Sequence, residues 1–301
     1  MTAPDVHFPD PGLLGNSVTF GPIPAIDDDC WADLPFAQGE EVGAHLRIRA
    51  SPTLAVAEVM AVGRYLFRDG TNITIEPFPY ATEQAVQAWL RSALASIIAG
   101  QQGTFALHGN VIEIDGVRIA VTGDRGTGKS TSTIAAMLAG AVLITDDVTV
   151  LSVDADRGSG QGPTITHVPF DRPVNLWRET ANALGIDITD APAVVTGLDK
   201  VCIPGPYPVP DRKPLHAIVL LVPMEIDHPV RTRMQAIDTF QVVCENTYRP
   251  AIVAPVWPGE LFRWQVAIAG AVPVFTLQRP RTWSVDAVVD ELFVLAQELR
   301  L

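Results

Sequence analysis

One short stretch of this sequence constrains the fold more than any other. An apolar run over residues 117–122 leads into three glycines within residues 123–128, and Lys129 and Ser130 then open a helical pattern. A strand, a glycine-rich turn and a helix start in this order predict a phosphate-binding loop of the type Gly-x-x-x-x-Gly-Lys-Ser. Glycine lets backbone N–H groups turn toward phosphate oxygens, and the N-terminus of the following helix favours negative charge.

The loop predicts that a nucleoside triphosphate and Mg²⁺ are bound, and we expect ATP and Mg²⁺ as the cofactors. Lys129 would reach the β- and γ-phosphates, and the Ser130 hydroxyl would bind the metal ion. The predicted nucleotide-binding residues are those of the loop itself: Gly123, Asp124, Arg125, Gly126, Thr127, Gly128, Lys129, Ser130 and Thr131.

The amino-acid composition narrows the classes of binding partner that we expect. The 301 residues include 34 acidic and 21 basic side chains, which gives a net charge of −13. An acidic chain without a basic run is not typical of proteins that bind nucleic acid or an anionic membrane surface. The longest apolar runs are too short to span a bilayer, the three cysteines form no cluster, and the first residues do not resemble a secretory signal. We therefore expect a cytoplasmic protein.

The N-terminal part of the chain, residues 1–80, is predicted to be a small β-rich module. Residues 45–49 alternate between polar and apolar, as a half-buried strand does. Asp69-Gly70 lies between two short runs of β-type composition, which is a hairpin signal.

Residues 81–301 are predicted to form the domain that carries the loop. A helix is expected over residues 82–99, and a hairpin that turns at Asp115-Gly116 brings the chain to the loop. Further helices are predicted over 238–248, 259–269 and 285–299, with a strand over 274–278.

Two adjacent aspartates, Asp146 and Asp147, follow a short buried strand at residues 142–144. An aspartate at the carboxyl end of a strand beside the loop can hold Mg²⁺, so we predict Asp146 and Ser130 as metal ligands. A second carboxylate is more than the metal needs. Asp147 could take the proton of a hydroxyl as the γ-phosphate is transferred to it. The alternative interpretation of the pair is a solvated turn.

His108, which lies on the strand before the loop hairpin, is the third catalytic candidate beside Asp147 and Lys129. It could hydrogen-bond one of the aspartates and tune its basicity, or it could have only a structural role. Arg172, Lys200 and Arg212 are candidates for contacts with the substrate or the γ-phosphate. Arginine is the ordinary cation of this chain and is usually a surface charge, whereas only three residues are lysine.

These motifs together resemble a known family. Leu107-His108-Gly109, a hairpin into the loop, Gly140 and Asp146-Asp147 resemble the catalytic core of bacterial HPr kinase/phosphorylase over residues 104–153. The resemblance implies a mixed β-sheet core like that of HPr kinase and phosphoenolpyruvate carboxykinase, with the β-rich module at its N-terminus. It also implies that Asp147 is the general base, that His108 assists it and that a protein serine accepts the phosphate.

The family's second signature, Glu-(Ile/Val)-Arg-Gly-x-Gly, has no counterpart here, because residues 166–173 read Thr-His-Val-Pro-Phe-Asp-Arg-Pro. The resemblance therefore favours kinase chemistry over the reverse phosphorylase reaction. Members of the family form oligomers, so a homo-oligomer is a further expectation, although no stretch of this sequence specifies one.

The sequence thus predicts a kinase that transfers the γ-phosphate of ATP to a hydroxyl. A serine of a peptide or protein is the favoured acceptor, and a natural-product precursor peptide is one candidate, since some HPr-kinase-like proteins are found beside genes for peptide natural products. A small-molecule hydroxyl kinase and a nucleotide-binding regulatory protein without transferase activity are the alternatives.

Overall fold

The computed structural model describes residues 15–37, 45–155, 162–169, 174–189, 191, 199–203, 211–282 and 285–300. The chain divides into two compact units. The first comprises Met1–Thr104 with Arg249–Leu261, and the second comprises Phe105–Tyr248 with Phe262–Leu301. The division at residues 80 and 81 that the sequence suggests stays a prediction.

The first unit contains a five-stranded sheet, with strands β1 (Ser17–Phe20), β2 (Leu46–Ala50), β3 (Leu54–Val59), β4 (Gly63–Arg68) and β5 (Asn72–Pro77). Their order in the sheet is β1-β5-β4-β3-β2. The predicted hairpin at Asp69-Gly70 is confirmed: both residues have positive φ, of 54° and 63°, in the turn between β4 and β5. Asp and Gly tolerate this conformation better than other residues.

Among the described residues of the first unit are a short 3-10 helix (Asp29–Trp31) and three α-helices that lie wholly within it: α1 (Glu83–Leu90), α2 (Ala95–Gln101) and α6 (Pro250–Val256). The single helix predicted over residues 82–99 is therefore wrong, since the chain breaks between α1 and α2. Trp89 shows the local reason, because its carbonyl accepts from the backbone N–H of Leu94 and from the Ser92 hydroxyl, at 3.3 Å each. A serine hydroxyl that bonds a nearby carbonyl competes with the helical ladder.

The second unit is built on a mixed nine-stranded sheet, with strands β6 (Phe105–Ile114), β7 (Val117–Thr122), β8 (Val142–Thr145), β9 (Val148–Asp154), β10 (Thr164–His167), β13 (Lys213–Pro214), β14 (Ala217–Met224), β15 (Val230–Arg233) and β16 (Val274–Pro280). Their order is β13-β10-β9-β6-β7-β14-β16-β15, with β8 paired to β6. A separate antiparallel pair joins β11 (Val174–Trp177) to β12 (Lys200–Ile203). The chain is thus of mixed α/β class.

The remaining helices are α3 (Lys129–Leu138), α4 (Arg178–Ala183), α5 (Ala236–Glu245), α7 (Pro258–Ala271) and α8 (Val285–Leu299). The predicted helix over 285–299 is confirmed, and its buried residues Val288, Leu292 and Leu295 recur at helical spacing. They pack with α3 against the alternating apolar side chains of the sheet, such as Ile119 and Val121 of β7. Among the helices that the structure describes, none has both the length and the apolar character needed to cross a bilayer.

Strand pairing brings three predicted site regions to one place. β6 and β7 are antiparallel, and Gly109 pairs with Thr122, so His108 lies beside the end of β7. β8 is antiparallel to β6, and Val111 pairs with Thr145, so the residues after β8 reach the same end of the sheet. The candidate site is therefore assembled from the start of β6, the end of β7 and the end of β8.

Candidate active site

The loop between β7 and α3 turns at glycines in the left-handed region. The φ angles of Gly123, Gly126 and Gly128 are 135°, 84° and 97°. Residues with a side chain rarely adopt such angles. A Cβ at Gly123 would also lie 2.7 Å from the carbonyl oxygen of Leu221 in β14. Both the backbone conformation and this close approach require glycine at position 123.

Neighbouring side chains support the loop from behind. Asn246 Oδ1 accepts from the backbone N–H of Gly123 at 3.2 Å, and the buried Arg279 donates from Nε to the carbonyl of Thr127 at 2.8 Å. The Thr127 hydroxyl donates to the carbonyl of Asp124 at 2.9 Å. These bonds hold the loop in one conformation before any ligand binds, which reduces the ordering that a ligand must impose.

Lys129, the first residue of α3, is buried, and its ammonium lies inside the loop. Nζ donates to the carbonyls of Gly123 at 2.6 Å and of Asp124 at 3.0 Å. Burial lowers the pKa of Lys129, and the nearby charges of Asp147, Asp124 and Asp146 oppose that shift. A buried cation held by carbonyl dipoles interacts favourably with an anion that enters the loop.

Asp146 is buried, and both of its carboxylate oxygens are hydrogen-bonded. Oδ1 accepts from the Ser130 hydroxyl at 3.0 Å and from Asn110 Nδ2 at 2.8 Å. Oδ2 accepts from the backbone N–H of Asn175 at 3.1 Å. Ser130 and Asp146 therefore present two oxygen groups side by side. Mg²⁺ is usually held in this way, by one or two protein oxygens together with substrate phosphates, so the residues present fit this metal.

Asp147 has a different environment, although it follows Asp146 directly. Its φ is +69°, and the backbone N–H of Val148 donates across it to the carbonyl of Asp146 at 2.9 Å. A turn of this size with positive φ at its centre is rare and strained. The strained turn sends the two adjacent carboxylates to different surroundings: Asp146 is buried, and the Asp147 side chain is 36% exposed.

His108 lies against Asp147, with its Nδ1 3.2 Å from Asp147 Oδ1. Its ring stacks on Tyr248, with 6.2 Å between ring centroids and 24° between the ring planes. The backbone N–H of His108 also donates to the carbonyl of Asn246 at 2.7 Å. The backbone bond fixes the main chain at His108 and the stacking contact restrains its ring, so the imidazole can orient the carboxylate of Asp147.

These groups border one cleft of about 360 Å³ in the second unit. The residues that line it are His108, Arg125, Gly126, Gly128, Lys129, Ser130, Thr131, Asp147, Asn175, Leu176, Trp177, Thr180 and Lys200. The structure therefore brings His108, Lys129, Ser130 and Asp147 together at the cleft, with Asp146 bonded to Ser130. Their chemical roles stay predictions.

The three candidate cations for substrate or phosphate contacts differ in position. Lys200 lines the cleft, and its Nζ lies 4.9 Å from the ring centroid of Trp177 on the paired strand. Arg212 is exposed and is not among the described residues that line the cleft. Arg172 lies outside the described residues. Arg125, predicted as part of the loop, also faces the cleft.

Sequence reasoning missed several polar residues that shape the site. Asn110 is a fully buried amide in β6, and Asn246 and Arg279 approach the loop from distant parts of the chain. Asn110 gave a usable signal, because it is a polar side chain next to the apolar run Val111-Ile112 in a strand predicted to be buried. Asn246 and Arg279 gave no such signal, since their contacts with the loop depend on pairing between distant parts of the chain.

Comparison with known proteins adds little to the geometry of the site. No family model matches this sequence. No curated protein matches it either. Among solved structures, the chain is similar to the HPr(Ser) kinase/phosphatase from Coxiella burnetii, with 17% sequence identity, a TM-score of 0.34, and coverage of 65% of this chain and 97% of that one. Because that score is too low to establish a shared architecture, the chemistry must be inferred from the site itself.

Proposed function

We propose that this protein is a Mg²⁺-dependent kinase that transfers the γ-phosphate of ATP to a hydroxyl group, with Asp147 as the general base. The observation that carries the proposal is that two adjacent carboxylates have different environments. Asp146 is buried against Ser130, whereas Asp147 is partly exposed on the cleft and is oriented by His108.

The loop side of the cleft would hold the phosphates. Backbone N–H groups of the loop and the start of α3 favour an anion, and the Lys129 ammonium supplies a full positive charge. On phosphate binding, Lys129 would exchange its bonds to the Gly123 and Asp124 carbonyls for phosphate oxygens. Ser130 and Asp146 would hold Mg²⁺, which when bound neutralises charge on the phosphate oxygens.

The side of the cleft opposite the loop would bind the acceptor. The acceptor hydroxyl oxygen forms a bond to the γ-phosphorus, the bond from that phosphorus to the β–γ bridging oxygen breaks, and ADP leaves. The hydroxyl proton passes to Asp147, whose carboxylate His108 keeps aimed at the cleft. Kinase catalysis of this kind depends mostly on positioning and charge stabilisation, which the fixed loop and the fixed imidazole support.

The acceptor that we propose is a serine of a peptide or protein. This choice rests on the resemblance of the motifs to HPr kinase and on Trp177 and Lys200, which offer an aromatic and a cationic group to a bound chain beside the cleft. A small-molecule hydroxyl remains the second acceptor class to test.

The test is Asp147→Asn, assayed with γ-labelled ATP and a panel of peptides, proteins and metabolites that carry hydroxyl groups. Asparagine tolerates positive φ as aspartate does, so the turn is retained. We expect ATP affinity within about threefold of the wild type, because the loop is intact, and transfer lowered by about 10²–10⁴-fold, because the base is lost. The matched control is Asp115→Asn, which changes another aspartate with positive φ, in the turn of the β6–β7 hairpin and away from the residues that line the cleft.

Near-normal transfer by Asp147→Asn would contradict the role of Asp147 as base. Wild-type protein that binds ATP without labelling any acceptor or releasing phosphate to water would support a regulatory nucleotide-binding protein instead.

A further inference from the structure

The different environments of Asp146 and Asp147 depend on a third side chain, that of Asn110. It lies in β6, is fully buried, and reaches both Asp146 and Asp147. Its Nδ2 donates to Asp146 Oδ1 at 2.8 Å and to Thr133 Oγ1 at 2.8 Å. Its Oδ1 accepts from the backbone N–H of Asp147 at 3.1 Å.

The orientation of this amide follows from its partners. A carboxylate oxygen only accepts and a backbone N–H only donates, so Nδ2 must face Asp146 and Oδ1 must face Asp147. A flipped amide would lose both bonds in a buried place, where an unpaired polar group costs about 1–3 kcal/mol. Position 110 therefore requires a side chain with one donor group and one acceptor group, which an aliphatic side chain lacks.

We propose that Asn110 is a positioning residue that assigns different roles to Asp146 and Asp147. Its donor end holds the Asp146 carboxylate toward Ser130, where Mg²⁺ would bind. Its acceptor end holds the N–H of the strained turn, so that the Asp147 side chain stays on the cleft beside His108. The inference rests on the proposed function, because it explains how the proposed metal ligand and base are kept apart.

The backbone adds a second restraint to the same turn. The N–H of Gly109, next to Asn110 in β6, donates to the carbonyl of Asp147 at 3.2 Å. A Cβ at Gly109 would lie 2.7 Å from the carbonyl oxygen of Val121, so glycine is needed where β6 and β7 approach each other. Residues of β6 thus hydrogen-bond both the backbone N–H and the carbonyl of Asp147. The φ of +69° would be costly for an aspartate without such support.

The experiment compares Asn110→Leu, which removes both ends of the amide, with Asn110→Asp, which keeps only the acceptor. Thr166→Val is the control, because it removes a buried hydroxyl from β10, two strands away from β6. Three quantities are measured for each protein: release of phosphate from ATP with water as the acceptor, ATP affinity with and without Mg²⁺, and the hydrogen-exchange rate of the Asp147 amide.

For Asn110→Leu we expect kcat to fall by about 10–100-fold, as for other residues that orient a metal ligand. Mg²⁺ should then enhance ATP binding less than in the wild type, and the Asp147 amide should exchange faster. For Asn110→Asp we expect a protected Asp147 amide but still at least about tenfold lower turnover, because a carboxylate would face Asp146. Thr166→Val should resemble the wild type in all three.

If Asn110→Leu or Asn110→Asp retained wild-type turnover with the same Mg²⁺ dependence, the positioning role would be wrong while the proposed function stood. If the wild type itself neither released phosphate nor bound ATP more tightly with Mg²⁺, the proposed function would fail. The exchange rate of the Asp147 amide would then still decide whether Asn110 holds the turn, since a rate unchanged in Asn110→Leu would overturn that part.

Discussion

Charged side chains lie at both ends of the hairpin of β6 and β7, and their environments differ between the two ends. At the loop end, His108 and Asp147 form a pair whose side chains are 34% and 36% exposed, at the edge of an open cleft. At the turn end, Arg118 is fully buried and donates from Nε to Glu113 Oε2 at 2.8 Å. Lys213 adds a second ion pair to Glu113, at 3.1 Å.

The turn end is a network of polar side chains around the buried Arg118. Arg118 Nη1 lies 3.5 Å from Nδ1 of His167, and the backbone N–H of Arg118 donates to Nδ1 of His216 at 2.9 Å. Burial raises the pKa of Glu113, but its bonds to Arg118 and Lys213 outweigh that effect and hold the pKa below its ordinary value. Opposite charges are therefore paired at this end of the hairpin, with Arg118 buried and Lys213 partly exposed.

The loop end is arranged for a ligand. The buried ammonium of Lys129 is bonded to carbonyls, and Asp147 occupies a strained turn. Strain and desolvated charge of this kind lower stability and are common at functional sites. The comparison therefore predicts opposite effects of removing a charge: lost activity at the loop end and lost stability at the turn end.

The largest expected effect is on activity at the loop end. Lys129→Met should lower phosphate transfer by about 10³-fold, which corresponds to ~4 kcal/mol, because the cation that stabilises the transferred phosphate is lost. The midpoint of thermal unfolding without ligand should be unchanged or higher, since a buried charge is replaced by an apolar chain of similar length. Labelled-ATP assays and calorimetry measure the two quantities. A large loss of stability would show that Lys129 is mainly structural.

At the turn end, Glu113→Gln should lower the free energy of unfolding by about 3 kcal/mol, because Arg118 would stay buried without its carboxylate. Turnover per folded molecule should be unaffected. The control is Glu298→Gln, which breaks the ion pair of the exposed Glu298 with Arg231, whose guanidinium keeps Glu291 as a partner, and should cost less than about 1 kcal/mol. Urea denaturation of both variants measures the difference. Equal effects of the two substitutions would mean that the buried network contributes no more than a surface ion pair.

At the loop end, the strand, the turn and the helix could be predicted because their signals are local. Strand, glycines, lysine and helix follow one another within 15 residues of chain, and the aspartate pair directly follows a buried strand. The turn at Asp115-Gly116 was predictable for the same reason, and its φ angles of 48° and 86° are those of a two-residue hairpin.

The turn-end network could not be predicted in this way. Glu113 and Lys213 are 100 residues apart, and Arg118 lies in an apolar run where periodicity gives no sign of a buried ion pair. Asn110 and Asp146 are 36 residues apart and meet only because β6 pairs with β8. Contacts of this kind depend on strand register, which the pattern of a single sequence determines only weakly.

A smaller effect should appear as pH dependence of stability at the turn end. Burial, together with the charge of Arg118, lowers the pKa of His167 from 6.5 to about 3. Below pH 6.5 the unfolded chain therefore binds a proton that the folded chain does not, and stability falls as the pH falls. Between pH 8 and pH 5 this contribution amounts to about 2 kcal/mol.

The measurement is the free energy of unfolding in urea at both pH values, for the wild type and for His167→Gln. The variant should lose about 2 kcal/mol less than the wild type on acidification, because glutamine does not titrate. The pKa of His216 is also lowered, first by burial and then by Arg118, so part of the pH dependence should remain in the variant. An identical pH dependence of the two proteins would show that His167 is charged in the folded state.

The smallest expected effect separates the two ends most directly, because it uses the same substitution at each. His108→Gln should lower transfer by about tenfold, since Asp147 keeps its carboxylate but loses the fixed imidazole that orients it. His216→Gln should leave turnover per folded molecule within about twofold of the wild type and should instead lower stability, because His216 contacts the Arg118 backbone rather than the cleft. Parallel assays of kcat and urea unfolding give both values for both variants. If the two histidines had the same effects, the division of the hairpin into a catalytic end and a structural end would be wrong.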